Sequence, residues 1–327
     1  MSSFISEAKN QHFISQAELR LNALNPQAQK ENQRIYVFKV TDREAFGIQL
    51  ESPRGRKISG TLSFTDLFSF DVVDNSWRLN LETAFQRFEN QVRDLSEQLM
   101  ALSKSGETAQ MQPLLRNIFV TKFVSSLRNP FAVRKAIGTI GSAARFKPRD
   151  KHLQKVFNRI RVGSKPHEVT ICVRFGISPD LYRQWLEALF MVLTINGQDG
   201  RSLLEQAMDD LFDSSFAFCR LNRYISVPAS AVALVSDRGF STRANQAATF
   251  EIEFNIASRL FAQYVFADPA KWLPPAAKPE ALHDHLRKSD LEAKLIVDDL
   301  DELRSFNRLA VYQSAERVFA ASPTPHL

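Results

Sequence analysis

Leu81, Phe85, Phe88, Val92, Leu95, Leu99 and Leu102 recur at alternating spacings of four and three. An apolar seam held over three heptads requires a long helix with a partner surface along its whole length. The spacing predicts a helix from about Trp77 that ends near Lys104 and Gly106. A second helix is expected from about Pro113 to Leu127, with Leu115, Ile118, Phe119 and Phe123 on one side. The short connection between them predicts an antiparallel helical hairpin. Its seam either packs within the chain or forms a dimerising coiled coil. Residues 81–127 are therefore the candidate surface for a protein partner or a homodimer.

Strand signals flank this helical stretch. RIYVFKV (Arg34 to Val40) and the Gly- and Pro-punctuated segment from Phe46 to Val73 read as short strands. Asn129-Pro130 breaks the second helix, and further helices are expected to about Ala144 and from Asp150 to Arg161. HEVTICVRF, rich in β-branched residues, reads as a strand. Ser178-Pro179-Asp180 is a helix start, and Ser202 with Glu205 forms a capping box. From Phe216 to Val265 the pattern returns to strands. Lys271 to Pro279 reads as a linker or surface loop, and Ser289 with Glu292 as a second capping box, opening a long helix to about Phe319. The expectation is one α+β domain over 1–327. Segments 1–76 and 216–268 form its sheets, 77–215 its helical block and 280–321 its closing helices.

Of the 327 residues 44 % are hydrophobic, enough to bury a core, which excludes a largely disordered chain. Cys172 and Cys219 sit among apolar neighbours and read as buried hydrophobes in strands, not as a framework or metal site. The sequence MSSFISEAKNQ lacks the apolar core of a secretory signal, and the longest apolar run, Leu186 to Ile195, is too short to span a bilayer. A cytoplasmic protein with no membrane span is expected.

The charge is unevenly spread. Between Arg116 and Arg174 lie fourteen Lys or Arg against Asp150 and Glu168, a local +12 in a chain of net +6. Such asymmetry is the footprint of a polyanion partner, here nucleic acid. The residues expected to bind it are Arg134, Lys135, Arg145, Lys147, Arg149, Lys151, Lys155, Arg159 and Arg161. Two other readings stand beside it: pairing with the acidic C-terminal segment Asp298, Asp299, Asp301 and Glu302, or attraction to a membrane surface.

Several separated segments resemble one family. QHFISQAELR (Gln11 to Arg20) resembles a His-aromatic-aliphatic-Pro-Gln-x-x-Leu-Arg signature, with Ser15 at the Pro position. RIYVFKV, SSLRNPFAVR (Ser125 to Arg134), VALVSDRGF (Val232 to Phe240) and NRLAVYQSAERVFA (Asn307 to Ala320) follow in the matching order. Asn129 stands where that pattern has Thr, and Gly239 or Phe240 where it has Pro. Together they are similar to the uncharacterised, mainly prokaryotic family catalogued as domain of unknown function 4238. The resemblance implies a single α+β domain in a phage-defence or mobile-element setting, and no established activity.

The matched polar residues His12, Arg128, Asp237 and Asn307 are the candidate catalytic set. A His to move a proton, an Asp to orient it and an Arg to hold a phosphate would suffice for a metal-independent phosphodiesterase. Each residue also has a structural reading: His12 in the first turn, Arg128 on helix-end carbonyls, Asp237 at the Gly239 turn and Asn307 bridging helix to sheet. Glu205 with Asp209, and Glu251 with Glu253, are acid pairs, but Phe254 and Asn255 stand where a restriction-type nuclease needs Lys. His283 and His285 read as surface residues. No metal and no cofactor is expected, and there is no Gly-rich phosphate loop, Gly-x-Ser-x-Gly or His-Glu-x-x-His. The functional expectation is a nucleic-acid-binding protein, in its sharper form an effector nuclease of a prokaryotic defence or mobile-element system. The alternative is a non-catalytic interaction subunit docking through the hairpin. Whether the chain is an enzyme stays open at this point.

Overall fold

The computed structural model describes residues 4–72, 77–243, 249–268, 271 and 291–327. The architecture is α+β. Short N-terminal strands lead into helices from Glu82 to Asp213, and strands follow, with the helix Leu300–Gln313 among them. These residues gather into two compact units, each drawn from three stretches of chain. One takes its described residues from 4–15, 62–90 and 123–207, the other from 16–61, 91–122 and 208–327.

The helices Glu82–Ser105 and Thr108–Leu127 follow one another after a two-residue connection. Gly106, at φ +75°, makes the reversal in a backbone conformation that a side chain would strain. At the far end Arg128 Nη1 donates to Glu89 Oε1 at 2.5 Å, which sets the two helices antiparallel. The buried stripe departs from the heptads. It runs Leu81, Phe85, Phe88, Val92, Ser96, Leu99 and Ser103, while Leu95 and Leu102 are only partly buried. This stripe repeats after eleven residues, or 3.67 per turn, close to the 3.6 of a straight helix. Heptads stay on one face only where a supercoiled partner under-winds the helix. At 3.67 residues per turn the buried position moves instead to the next residue. Ser103 is accommodated by Arg223, whose Nη1 donates to its hydroxyl at 2.6 Å and to the Met100 carbonyl at 3.2 Å.

In the first unit the helix Pro179–Thr194 is the core element. Ser178 Oγ accepts from Leu181 N at 3.2 Å, the capping that the Ser-Pro-Asp start anticipates. The helix buries Tyr182, Trp185, Leu186 and nearly all of its last two turns. Its two polar rings find backbone partners: Trp185 Nε1 donates to the Leu127 carbonyl at 2.7 Å, and Tyr182 Oη to that of Leu67 at 2.8 Å. Phe68 packs between Phe85 and Trp185. Short strand pairs surround it, Asn10–His12 with Ser63–Thr65 and Ser69–Val72 with Arg78–Asn80. Residues 78–80 are thus strand, and the long helix starts later than Trp77.

HEVTICVRF is not a strand. Glu168–Phe175 is a helix, entered through His167 at φ 59° and left through Gly176 at φ 63°. β-branching favours extended chain, but here tertiary pairing overrides it. Ile171 and Cys172 turn inward, Val169 and Val173 outward, and Glu168 holds Arg183 of the neighbouring helix at 3.0 Å. Cys172 is therefore a helical residue.

The second unit is built on a five-stranded sheet in the order Ser241–Thr242, Thr249–Ala257, Leu260–Ala267, Phe216–Arg223, Glu292–Val297. Both of its faces are covered, so the strand Leu260–Ala267 is buried almost throughout. Phe119 lies on one face, among Phe212, Phe254, Tyr264 and Phe266 at 5.0–5.9 Å between ring centroids. On the other, Phe261 stacks on Phe306 at 4.1 Å. A second five-stranded sheet runs Val235–Ser236, Arg317–Ala320, Arg34–Asp42, Gly47–Leu50, with Arg56–Lys57 also paired to Arg34–Asp42.

The C-terminal region corrects the expected long helix. Glu292–Val297 is a strand, parallel to Phe216–Arg223. The helix is Leu300–Gln313, capped by Asp299, whose Oδ1 accepts from Asp301 N and Glu302 N at 3.1 Å. Arg317–Ala320 is again strand. Asp237 fixes the stopping point: its carboxylate accepts from the amides of Ala315, Glu316 and Arg317 at 2.6, 2.6 and 2.9 Å, which pulls the chain out of helix. Ser289, His283, His285 and the Pro-rich segment after Lys271 lie outside the described residues.

Candidate nucleic-acid interface

The fourteen cations of the basic segment differ in what holds them, and the last, Arg174, lies over the rings of Phe131 and Phe175. Some are held by acids: Arg116 by Asp209 and Asp213, Lys122 by Glu18, Arg128 by Glu89, Arg159 by Asp71 and Arg161 by Glu187. Lys165 is buried with Nζ on the Gly163 carbonyl at 3.2 Å, and burial pulls its ammonium below the usual lysine range. Arg134 reaches the Gly176 carbonyl at 3.3 Å and, like Lys135, is exposed. Arg145, Lys147, Arg149, Lys151 and Lys155 are exposed and form no ion pair among the described residues. The acids Asp298, Asp299, Asp301 and Glu302 are engaged near their own helix: Asp298 accepts from Ile225 N and Ser226 N, Asp299 caps, Asp301 pairs with Arg304, and Glu302 lies 3.7 Å from Arg243.

Those five cations follow one another in the first unit, from the last residue of the turn Gly141–Arg145 into the helix Lys151–Val162. The acid among them, Asp150, is committed to capping, with Oδ1 accepting from Leu153 N at 2.8 Å. Phe146 stands between Arg145 and Lys147 with 67 % of its surface exposed. A cavity of about 400 Å³ opens beside it, with an apolar floor from Ala143, Pro148, Leu153, Met191 and Ile195. This stretch is braced by Arg161, which stacks over Phe157, pairs with Glu187 at 3.2 Å and donates Nη2 to the Ala144 carbonyl at 3.2 Å. Arg161 is thus a support of the loop. Arg159, paired with Asp71, is tied down in a similar way, although half of its side chain is exposed. Phe146 is not among the residues expected from the charge pattern; the aromatic inside Arg-Phe-Lys-Pro-Arg is the signal that marks it.

Two of the four candidate catalytic residues fall in each unit. His12 ends the strand Asn10–His12, buried and paired in register with Ser63. Arg128 is 1 % exposed, over the ring of Phe85 and on Glu89. Asp237 holds the three amides described above, and burial pushes its carboxyl up against their opposing pull. Asn307 receives Leu234 N at 2.8 Å and donates to the carbonyls of Val232 and His326 at 2.9 and 2.7 Å, stitching helix to sheet. Among the acid pairs, Glu205 completes the capping box with Ser202 and binds Arg87, and Glu253 binds Arg243 at 2.6 Å. Burial raises both thiols, Cys172 and Cys219, so neither is a ready thiolate. Among the described residues no helix is long and apolar enough to cross a membrane.

No protein-family model, curated protein or solved structure matches this chain.

Proposed function

We propose that this protein binds nucleic acid through the stretch 145–155. The observation that carries this reading is the set of five exposed cations that no described acid neutralises, in a segment whose other arginines are largely spent on structural ion pairs. Leaving five like charges together costs self-repulsion, which a polyanion relieves with release of its counterions. The resemblance to domain of unknown function 4238 adds the expectation of a prokaryotic defence or mobile-element setting and rests on the short motifs alone. The reading stops at binding, because Arg128, Asp237 and Asn307 each have local structural work.

The test is a binding titration across salt with the variant Arg145→Glu, Lys147→Glu, Arg149→Glu, Lys151→Glu. Each lost phosphate contact should lower the slope of log affinity against log salt by about 0.7–0.9. The variant should bind weakly with a flattened slope. Wild-type affinity and slope in the variant would remove the proposal.

A further inference from the structure

We infer that the strand bound at this stretch is single-stranded and that one of its bases stacks on Phe146, an inference that rests on the nucleic-acid reading above. Phosphate contacts alone would need only the cations. Phe146 adds a large ring left mostly in water, where an apolar residue gains nothing for the fold. It is flanked in sequence by Arg145 and Lys147 and borders the 400 Å³ cavity. The ring is held on a fixed base: Phe146 N donates to the Ala143 carbonyl at 3.1 Å, and Arg161 clamps the preceding Ala144.

A duplex hides the faces of its bases in the stack and presents phosphates at its surface. A single strand offers both phosphates and open base faces, which suits cations interleaved with an aromatic platform. The cavity is roomy enough for a flat ring, and its apolar floor selects for a base face over a phosphate or sugar. Asn196 is the one amide side chain in the cavity's lining, too little to read a run of base edges, so the geometry points to binding with little sequence preference.

The experiment measures anisotropy of fluorescein-labelled dT20, U20 and a 20-base-pair DNA duplex with wild type, Phe146→Ala, Phe146→Trp and the four-charge variant, each checked for an unchanged melt. Wild type should prefer the single strands. Phe146→Ala should lose about 5- to 150-fold on them, the worth of one base–aromatic stack, with duplex binding and salt slope unchanged, and Phe146→Trp should retain affinity. Tighter U20 assigns an RNA strand and tighter dT20 a DNA strand. If Phe146→Ala binds single strands like wild type, or loses duplex binding equally, the stacking inference is overturned. If the four-charge variant also binds like wild type, the nucleic-acid reading itself fails.

Discussion

Lys122 Nζ lies 2.6 Å from Glu18 Oε2, and both side chains are almost wholly out of water, at 3 % and 6 % exposure. The two residues are 104 positions apart and tie the helix Thr108–Leu127 to the N-terminal segment of the same unit. A buried pair gains little over a matched apolar pair, but breaking one side leaves an uncompensated charge. Lys122→Ala should therefore cost about 3–5 kcal/mol in urea unfolding, and Lys122→Met with Glu18→Leu much less. Equal losses in the two variants would show that the contact is not what matters at this position.

Asp237 sets the end of the closing helix through three backbone amides. Asp237→Ala would strand those buried donors and should cost about 2–5 kcal/mol, since each unmet buried group costs on the order of 1–3 kcal/mol and some will reach water. Denaturant midpoints compare the variant with wild type. An unchanged midpoint would mean that the turn at 315–317 holds without the carboxylate, and would return Asp237 to the candidates for chemistry.

Glu82 opens the long hairpin helix. Burial pushes its carboxyl up to about 7 from an ordinary 4.5; Arg128 opposes that rise and Glu89 adds to it. The folded state thus holds this proton more tightly than the unfolded chain. The cost of ionising buried Glu82 is absent below pH 4.5, grows as pH rises toward 7 and is complete above it. It amounts to about 3 kcal/mol at 1.36 kcal/mol per pH unit. Glu82→Gln should remove that slope. Unfolding free energies at pH 5 and pH 8 should converge between variant and wild type at pH 5 and separate at pH 8, with the variant more stable. A constant difference at both pH values would refute the assignment.

Local signals were legible where local chemistry decides. Ser178 and Ser202 each announce a helix start from their own few residues, and both cap as read. The strand-like HEVTICVRF was not legible, because Ile171 and Cys172 find their core partners only in the folded unit and the Glu168–Arg183 pair spans fifteen residues. The end of the closing helix was hidden for the same reason: Asp237 acts from 78 positions away. At the candidate interface the charge excess could be counted in the sequence. Which cations stay unpaired could not, since the partner of Arg159 is Asp71, 88 residues earlier. The seam was half legible. Its apolar residues mark the helix, yet they suggest a heptad period that a straight helix does not keep.

That drift of period makes Leu95 and Leu99 a sharp pair for comparison. A supercoiled seam would bury both equally, because they would occupy successive core positions. In the straight helix Leu99 is fully buried, Leu95 is at the margin and Ser96 takes its place inside. Leu99→Ala should then cost about 2–5 kcal/mol, the range for large-to-small core changes. Leu95→Ala should cost less, about 1–2 kcal/mol, since part of its surface stays in water. Ser96→Leu should destabilise by about 1–3 kcal/mol through overpacking, although it adds an apolar residue to an apolar seam. Urea unfolding of the three variants separates the two geometries. Equal losses at Leu95 and Leu99, with Ser96→Leu tolerated, would restore the heptad seam and with it the hairpin as a surface for a helical partner.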